Sequence, residues 1–208
     1  LIALGYTLVY GVLQLINFAH SEVFMSGGFG GLFVVNWLIG DKHPGGFASV
    51  WYVVVGIVAG AICGGIAAFI LERVAYRPLR RRNAPKLAFL ISAIGMSYFL
   101  LSLAGKEFGR DARTVKAAFT MTPSKPLFTI SGAPVTVYDA VIAIAAIAML
   151  VMLDRLVNVT RLGQGIRAVA QDADTASLMG VDINRVIAQT FIVGGLLGGA
   201  AGFLFGMG

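Results

Sequence analysis

The sequence predicts an all-α polytopic membrane protein: a bundle of about six transmembrane helices with a short cytoplasmic helix before the last one. Three observations carry this. Only 12% of the 208 residues are charged, and the mean hydropathy is +0.85, whereas soluble domains carry about 25% charged residues. The apolar residues gather in runs of the length a bilayer demands, about 20 residues. The runs lack the short alternating pattern of a β-barrel, the other architecture that satisfies its backbone hydrogen bonds in lipid.

Taken in order, the candidate spans are 1–16, 23–40, 51–71, 87–104, 138–157 and 186–208. They read as a single membrane domain, 1–208. The chain opens at Leu1 inside an apolar run, without Met or a cleavable signal peptide, and closes at Gly208 inside another. It is therefore expected to be a fragment of a longer protein, with membrane segments missing at one or both ends.

The net charge of +6 resides mostly in the connections. Loop 72–86 holds Arg73, Arg77, Arg80, Arg81, Arg82 and Lys86 against Glu72 alone. Such a bias marks a cytoplasmic loop rather than a nucleic-acid site. If every run spans, 158–185 is cytoplasmic too, and 41–50 and 105–137 face outward. The five basic residues of 105–137 run against that trend. Around Ser131 and Gly132 two β-prone runs predict a short hairpin, either a lid over the bundle or a docking surface for an extracytoplasmic partner.

Glycines recur every fourth residue at Gly56, Gly60 and Gly64, and again at Gly194, Gly198, Gly202 and Gly206. This spacing lines one helix face with hydrogen and predicts close backbone packing. The only cysteine, Cys63, lies in an apolar run, and the two histidines are far apart in sequence. No disulfide, metal or cofactor is expected. A phosphate-binding Gly-x-x-x-x-Gly-Lys-Ser/Thr motif is also missing, so ATP chemistry is not assigned to this chain.

Two polar segments interrupt the apolar pattern. In the first, Asn17, Phe18, His20, Ser21 and Glu22 separate two hydrophobic runs. One reading is an interfacial turn in which Ser21 caps the next helix and Glu22 meets its positive end. The other is a broken helix at membrane depth, where polar residues line a pathway. The second segment is an island at 160–185. Gly163 and Gly165 are expected to loosen the exit from the fifth span, and 166–171 to form a turn or two of helix. Asp172 then caps a helix over 173–179, with Asp174 in its first turn, and Gly180 ends it. Asp182 caps the last span. Ala173, Ala176 and Ser177 keep the short helix slim, and Leu178 and Met179 supply an apolar anchor. A helix bracketed by caps fits a partner's groove; an ordinary connection would not need the punctuation.

Four blocks, 3–11 (ALGYTLVYG), 16–22 (INFAHSE), 72–79 (ERVAYRPL) and 161–186, make the chain resemble the membrane permease subunits of bacterial ABC importers for branched-chain amino acids. The family usually has Gly where this chain has Ser21. Its chains are longer, with further spans at both ends. The resemblance implies a plasma (inner) membrane permease of a bacterium or archaeon. The expected partners are two cytosolic ABC ATPases, a second permease subunit, identical or paralogous, and an extracytoplasmic solute-binding protein. It implies that 172–180 is a coupling helix, with Arg167, Ala168, Asp172, Ala176 and Gly180 matching the family's cytoplasmic motif. It also moves Asn17 to Glu22 towards the translocation pathway. Related permeases carry urea, short amides or sugars. An ion-driven transporter would instead need an intramembrane carboxylate pair; Glu22 is the only acidic candidate near a span centre, and Asp139 sits at a span edge. A structural scaffold would not need the capped helix.

Overall fold

A computed structural model of the chain describes residues 2–13, 17–39, 47–82, 84–108, 128–130, 133–135 and 137–207. The elements are α1 (Ile2–Leu13), α2 (His20–Ile39), α3 (Phe47–Leu71), a π-helical turn (Glu72–Tyr76), α4 (Arg77–Arg81), α5 (Lys86–Phe108), strands β1 (Phe128–Ile130) and β2 (Ala133–Val135), α6 (Val137–Val159), α7 (Arg161–Gln171), α8 (Ala173–Leu178) and α9 (Ile183–Gly206). Among the described residues, five helices are long and apolar enough to cross a membrane. They correspond to five of the six expected spans. Within the first expected span α1 covers 12 residues; residues 1 and 14–16 lie outside the described residues.

Helix α9 is the centre of the bundle and is buried along most of its length. Its glycines let three neighbours approach at backbone distance. A methyl on Gly60 of α3 would lie 2.9 Å from the Gly199 carbonyl oxygen, and one on Gly28 of α2 would lie 3.1 Å from that of Gly202. On a third side, a methyl on Gly5 of α1 would lie 2.9 Å from the Gly194 carbonyl. The pairing order makes α3 antiparallel to α9 (Gly64 by Gly195, Gly60 by Gly199, Gly56 by Phe203) and α2 parallel to it (Gly27 by Gly199, Gly28 by Gly202, Leu32 by Gly206). The four-residue glycine spacing is thus a packing device, as expected. The Phe203 ring packs against Gly31 and Gly56.

Helices α5 and α6 stand at the periphery. Leu87, Ile91, Tyr98 and Phe99 of α5, and Ile144, Ile147 and Leu150 of α6, are exposed, a surface that lipid tails solvate as well as Leu side chains would. Strands β1 and β2 pair antiparallel, Phe128 opposite Val135 and Ile130 opposite Ala133. This is the hairpin expected within 105–137; its turn at Ser131 and Gly132, and most of that loop, lie outside the described residues.

Three expectations are corrected. The loop at 72–86 is mostly helix, because α3 continues through the π-turn and α4 to Arg81. The Arg77 amide bonds the Glu72 carbonyl, five residues back. Pro78 follows directly, and its ring would collide with the carbonyl of residue 74 in a regular helix, so the wider turn relieves that contact. Second, Gly163 and Gly165 do not loosen the chain. They lie within α7, an 11-residue helix rather than a turn or two. Third, α2 starts at His20, so Ser21 lies inside its first turn and does not cap it.

Candidate functional site

The polar island folds into two helices set against the bundle. Thr160 caps α7, its hydroxyl accepting from the Gly163 amide at 3.2 Å. Gly163 is needed where the chain turns sharply from α6, since any side chain there would run into the Val157 carbonyl. That carbonyl also accepts from the Arg167 guanidinium. Helix α7 is amphipathic: Ile166 and Val169 are buried while Arg161, Gln164, Arg167 and Gln171 are exposed. Its apolar face packs into the bundle core.

Asp172 caps α8 as its sequence position predicts. Its Oδ1 accepts from the amides of Asp174 and Thr175 at 2.9 and 3.1 Å, and its Oδ2 from the Thr175 hydroxyl at 2.7 Å. The Thr175 hydroxyl, then the Thr175 amide, hold the carboxyl below its ordinary pKa, with a smaller opposing effect of burial. The cap is therefore ionised at neutral pH. At the other end Gly180 has φ +84°. The Gly180 amide bonds the Ser177 carbonyl at 3.0 Å and the Val181 amide bonds the Ala176 carbonyl at 3.1 Å, the paired bonds of a Schellman ending. Ala176 is buried against the core with Ala168 and Ala173 beside it. Leu178 and Met179 point away from the bundle, 86% and 82% exposed. They do not anchor α8 to its own chain.

The first polar segment packs beside the middle of α9. A methyl on Gly5 would sit 3.0 Å from His20 Nε2, and one on Gly198 would sit 3.4 Å from its Cε1. Gly194, against Gly5, and Gly198 fall in the middle third of α9. Helix α2 thus begins level with the middle of α9, and residues 14–16 before it lie outside the described residues. Asn17, His20 and Glu22 are buried, whereas Phe18 and Ser21 are exposed. Asn17 does the capping expected of Ser21: its Oδ1 accepts from the Ala19 amide at 3.1 Å and from the Tyr76 hydroxyl at 3.0 Å. The Ser21 hydroxyl lies 2.8 Å from Glu22 Oε2. His20 stacks edge-on against Tyr6, and its Nε2 has no hydrogen-bond partner among the described residues.

Residues not singled out as a site from the sequence connect the two segments. Glu72 is 1% exposed and pairs with Arg80 Nη2 at 2.7 Å. Arg80 Nε also donates to Asn184 Oδ1 at 2.9 Å. Asn184 lies two residues past the Asp182 cap of α9. Tyr76, in the same π-turn as Glu72, packs on Phe191 of α9 and bonds Asn17. The turn thus touches the first polar segment through Tyr76 and, by way of Arg80, the start of α9 beside α8. A buried carboxylate needs such pairing to exist at all. The available signal was a Glu and a Pro in a run otherwise given over to arginine, which the charge count absorbed. The same contacts bring 72–82 and 158–185 to one end of the molecule, where the charge bias expected both.

A family model described as branched-chain amino acid transport system / permease component matches residues 1–208. The chain belongs to that family. Curated relatives agree. It is 36% identical over 207 residues to the high-affinity branched-chain amino acid transport system permease protein LivH of Escherichia coli K12, covering 99% of this chain and 65% of the relative. It is likewise 36% identical over 211 residues to the permease protein BraD of Pseudomonas aeruginosa, covering 100% of this chain and 66% of the relative. A probable branched-chain amino acid transport permease of Methanocaldococcus jannaschii is 25% identical over 207 residues, 98% of this chain and 61% of the relative. The chain thus spans about two thirds of the length of these permeases. No solved structure matches it. With its long apolar helices, this family member is a multi-pass membrane protein.

Proposed function

We propose that this chain is the membrane-spanning permease part of an ATP-driven importer for branched-chain amino acids in a bacterial or archaeal plasma membrane. Two cytosolic ABC ATPases hydrolyse the ATP, a second permease subunit completes the pathway, and an extracytoplasmic binding protein delivers the solute. The observation that carries this reading is α8: a helix fixed at both ends by its own caps, with Ala176 seated on the core and Leu178 and Met179 bare. Exposed apolar side chains on a held scaffold are the shape of a docking surface. ATP-driven closure of the ATPases would pull on α8 and bias the bundle between inward- and outward-open states. Arg167 ties α7 to the end of α6 through the Val157 carbonyl, the Ala168 carbonyl accepts from the amide of Asp172, the residue that caps α8, and Asn17, Phe18, His20, Ser21 and Glu22 border the route of the solute.

The test uses the assembled transporter in proteoliposomes. Gly180→Pro denies the ending its positive φ, and Asp172→Lys removes the cap and reverses its charge. Both should leave the protein in the membrane, leave a basal ATPase rate and abolish leucine uptake driven by ATP. Uptake at the normal ratio to ATP hydrolysis in both variants would remove α8 from the coupling. Uptake competed by urea but not by isoleucine or valine would reassign the solute.

A further inference from the structure

We propose that the arginine cleft at the end of the long third helix binds the phosphate of an anionic phospholipid headgroup. A cleft of about 310 Å³ is lined by Arg73, Arg77, Pro78, Arg81 and Arg82. Among the described residues no carboxylate lines it, and the nearby Glu72 pairs with Arg80. Arg77 Nε is enclosed and has no acceptor among the described residues. Four guanidinium groups with no counter-charge repel one another unless an anion sits between them. Their planar donor forks match phosphate oxygens.

The depth of the cleft indicates which phosphate it meets. The helix from Val50 to Arg81 has 32 residues, about 48 Å at 1.5 Å per residue, whereas the hydrocarbon core is about 30 Å thick. Residues 50–71 carry no charge. The arginines that follow therefore lie in the headgroup layer. Directly before them runs an exposed apolar row, Ile66, Ile70 and Val74. Residues four apart share one helix face, so the row forms a track for an acyl chain that leads into the cleft. A soluble phosphate would have no use for that track.

The experiment uses the full-length protein carrying this sequence, purified with its partners and reconstituted in nanodiscs of phosphatidylcholine with phosphatidylglycerol. Lipid retained after detergent extraction is counted by native mass spectrometry. Wild type should retain phosphatidylglycerol in preference to phosphatidylcholine, and millimolar inorganic phosphate should not displace it. Arg77→Gln with Arg81→Gln should lower retention about 30-fold, at about fivefold for each basic contact. Lys86→Gln with Arg161→Gln removes the same charge outside the cleft and should change nothing. Equal retention of the two lipids by wild type overturns the site without recourse to any variant. Equal loss in both double variants reduces it to general surface charge. Displacement by phosphate alone makes it a free-anion site. Lipid retained by the permease subunits alone but absent from the complete assembly with the ATPases assigns the cleft to an acidic protein surface instead.

Discussion

Asn17 carries more structure than its size suggests. Its side-chain oxygen serves two donors, the Ala19 amide and the Tyr76 hydroxyl, inside a bundle where neither donor can turn to water. Removing one donor is milder than removing the shared acceptor. Tyr76→Phe should destabilise by about 1 kcal/mol, and Asn17→Ala by about 2 kcal/mol, since it leaves a hydroxyl and an amide unpaired together. Thermal unfolding in detergent should rank the two in that order. The reverse order would mean that the Tyr76 hydroxyl bonds elsewhere. The polar block around Asn17 was visible in the sequence as an interruption between apolar runs. Its depth was not, because depth depends on which residues of α9 stand opposite, and Gly194 and Gly198 are far away in the chain.

At the scale of elements, legibility followed the range of the bonds. Asp172, Gly180 and Asp182 were readable as helix ends because each acts within three or four residues of itself. The π-turn was not. Its cause combines Pro78 with a Glu72 whose partners, Arg80 and through it Asn184, are settled only on folding. The turn holds one residue more than an α-turn would, and so decides which way Tyr76 and Arg80 face. Inserting an alanine after Val74, an exposed residue in the middle of the turn, should rotate everything beyond it by about 100°. Tyr76 would then leave Asn17, and Arg80 would leave Asn184. The insertion should stop uptake, whereas Val74→Ala, which keeps the residue count, should retain it. Normal transport in the insertion variant would show that this register is not needed for coupling.

Across the whole molecule, the glycine spacing named the packing faces in the sequence but could not name their partners. Gly199 is met by α3 on one side and α2 on the other, whereas Gly95 of α5 has nothing within 4 Å of a would-be methyl. Gly199→Ala should therefore cost about 3 kcal/mol or more, by driving a methyl into the Gly60 carbonyl. Gly95→Ala should be neutral, or stabilise by up to about 1 kcal/mol through helix propensity. Yield of folded protein in the membrane separates them; equal yields would mean that the central helices slide apart readily. The same contacts restrict where the protein can move. Where backbone meets backbone there are no rotamers to readjust, so α2, α3 and α9 form a keel that must shift as one solid piece or not at all. A transport cycle would have to take its motion from the loosely held helices, with α5 and α6 swinging in lipid around the keel.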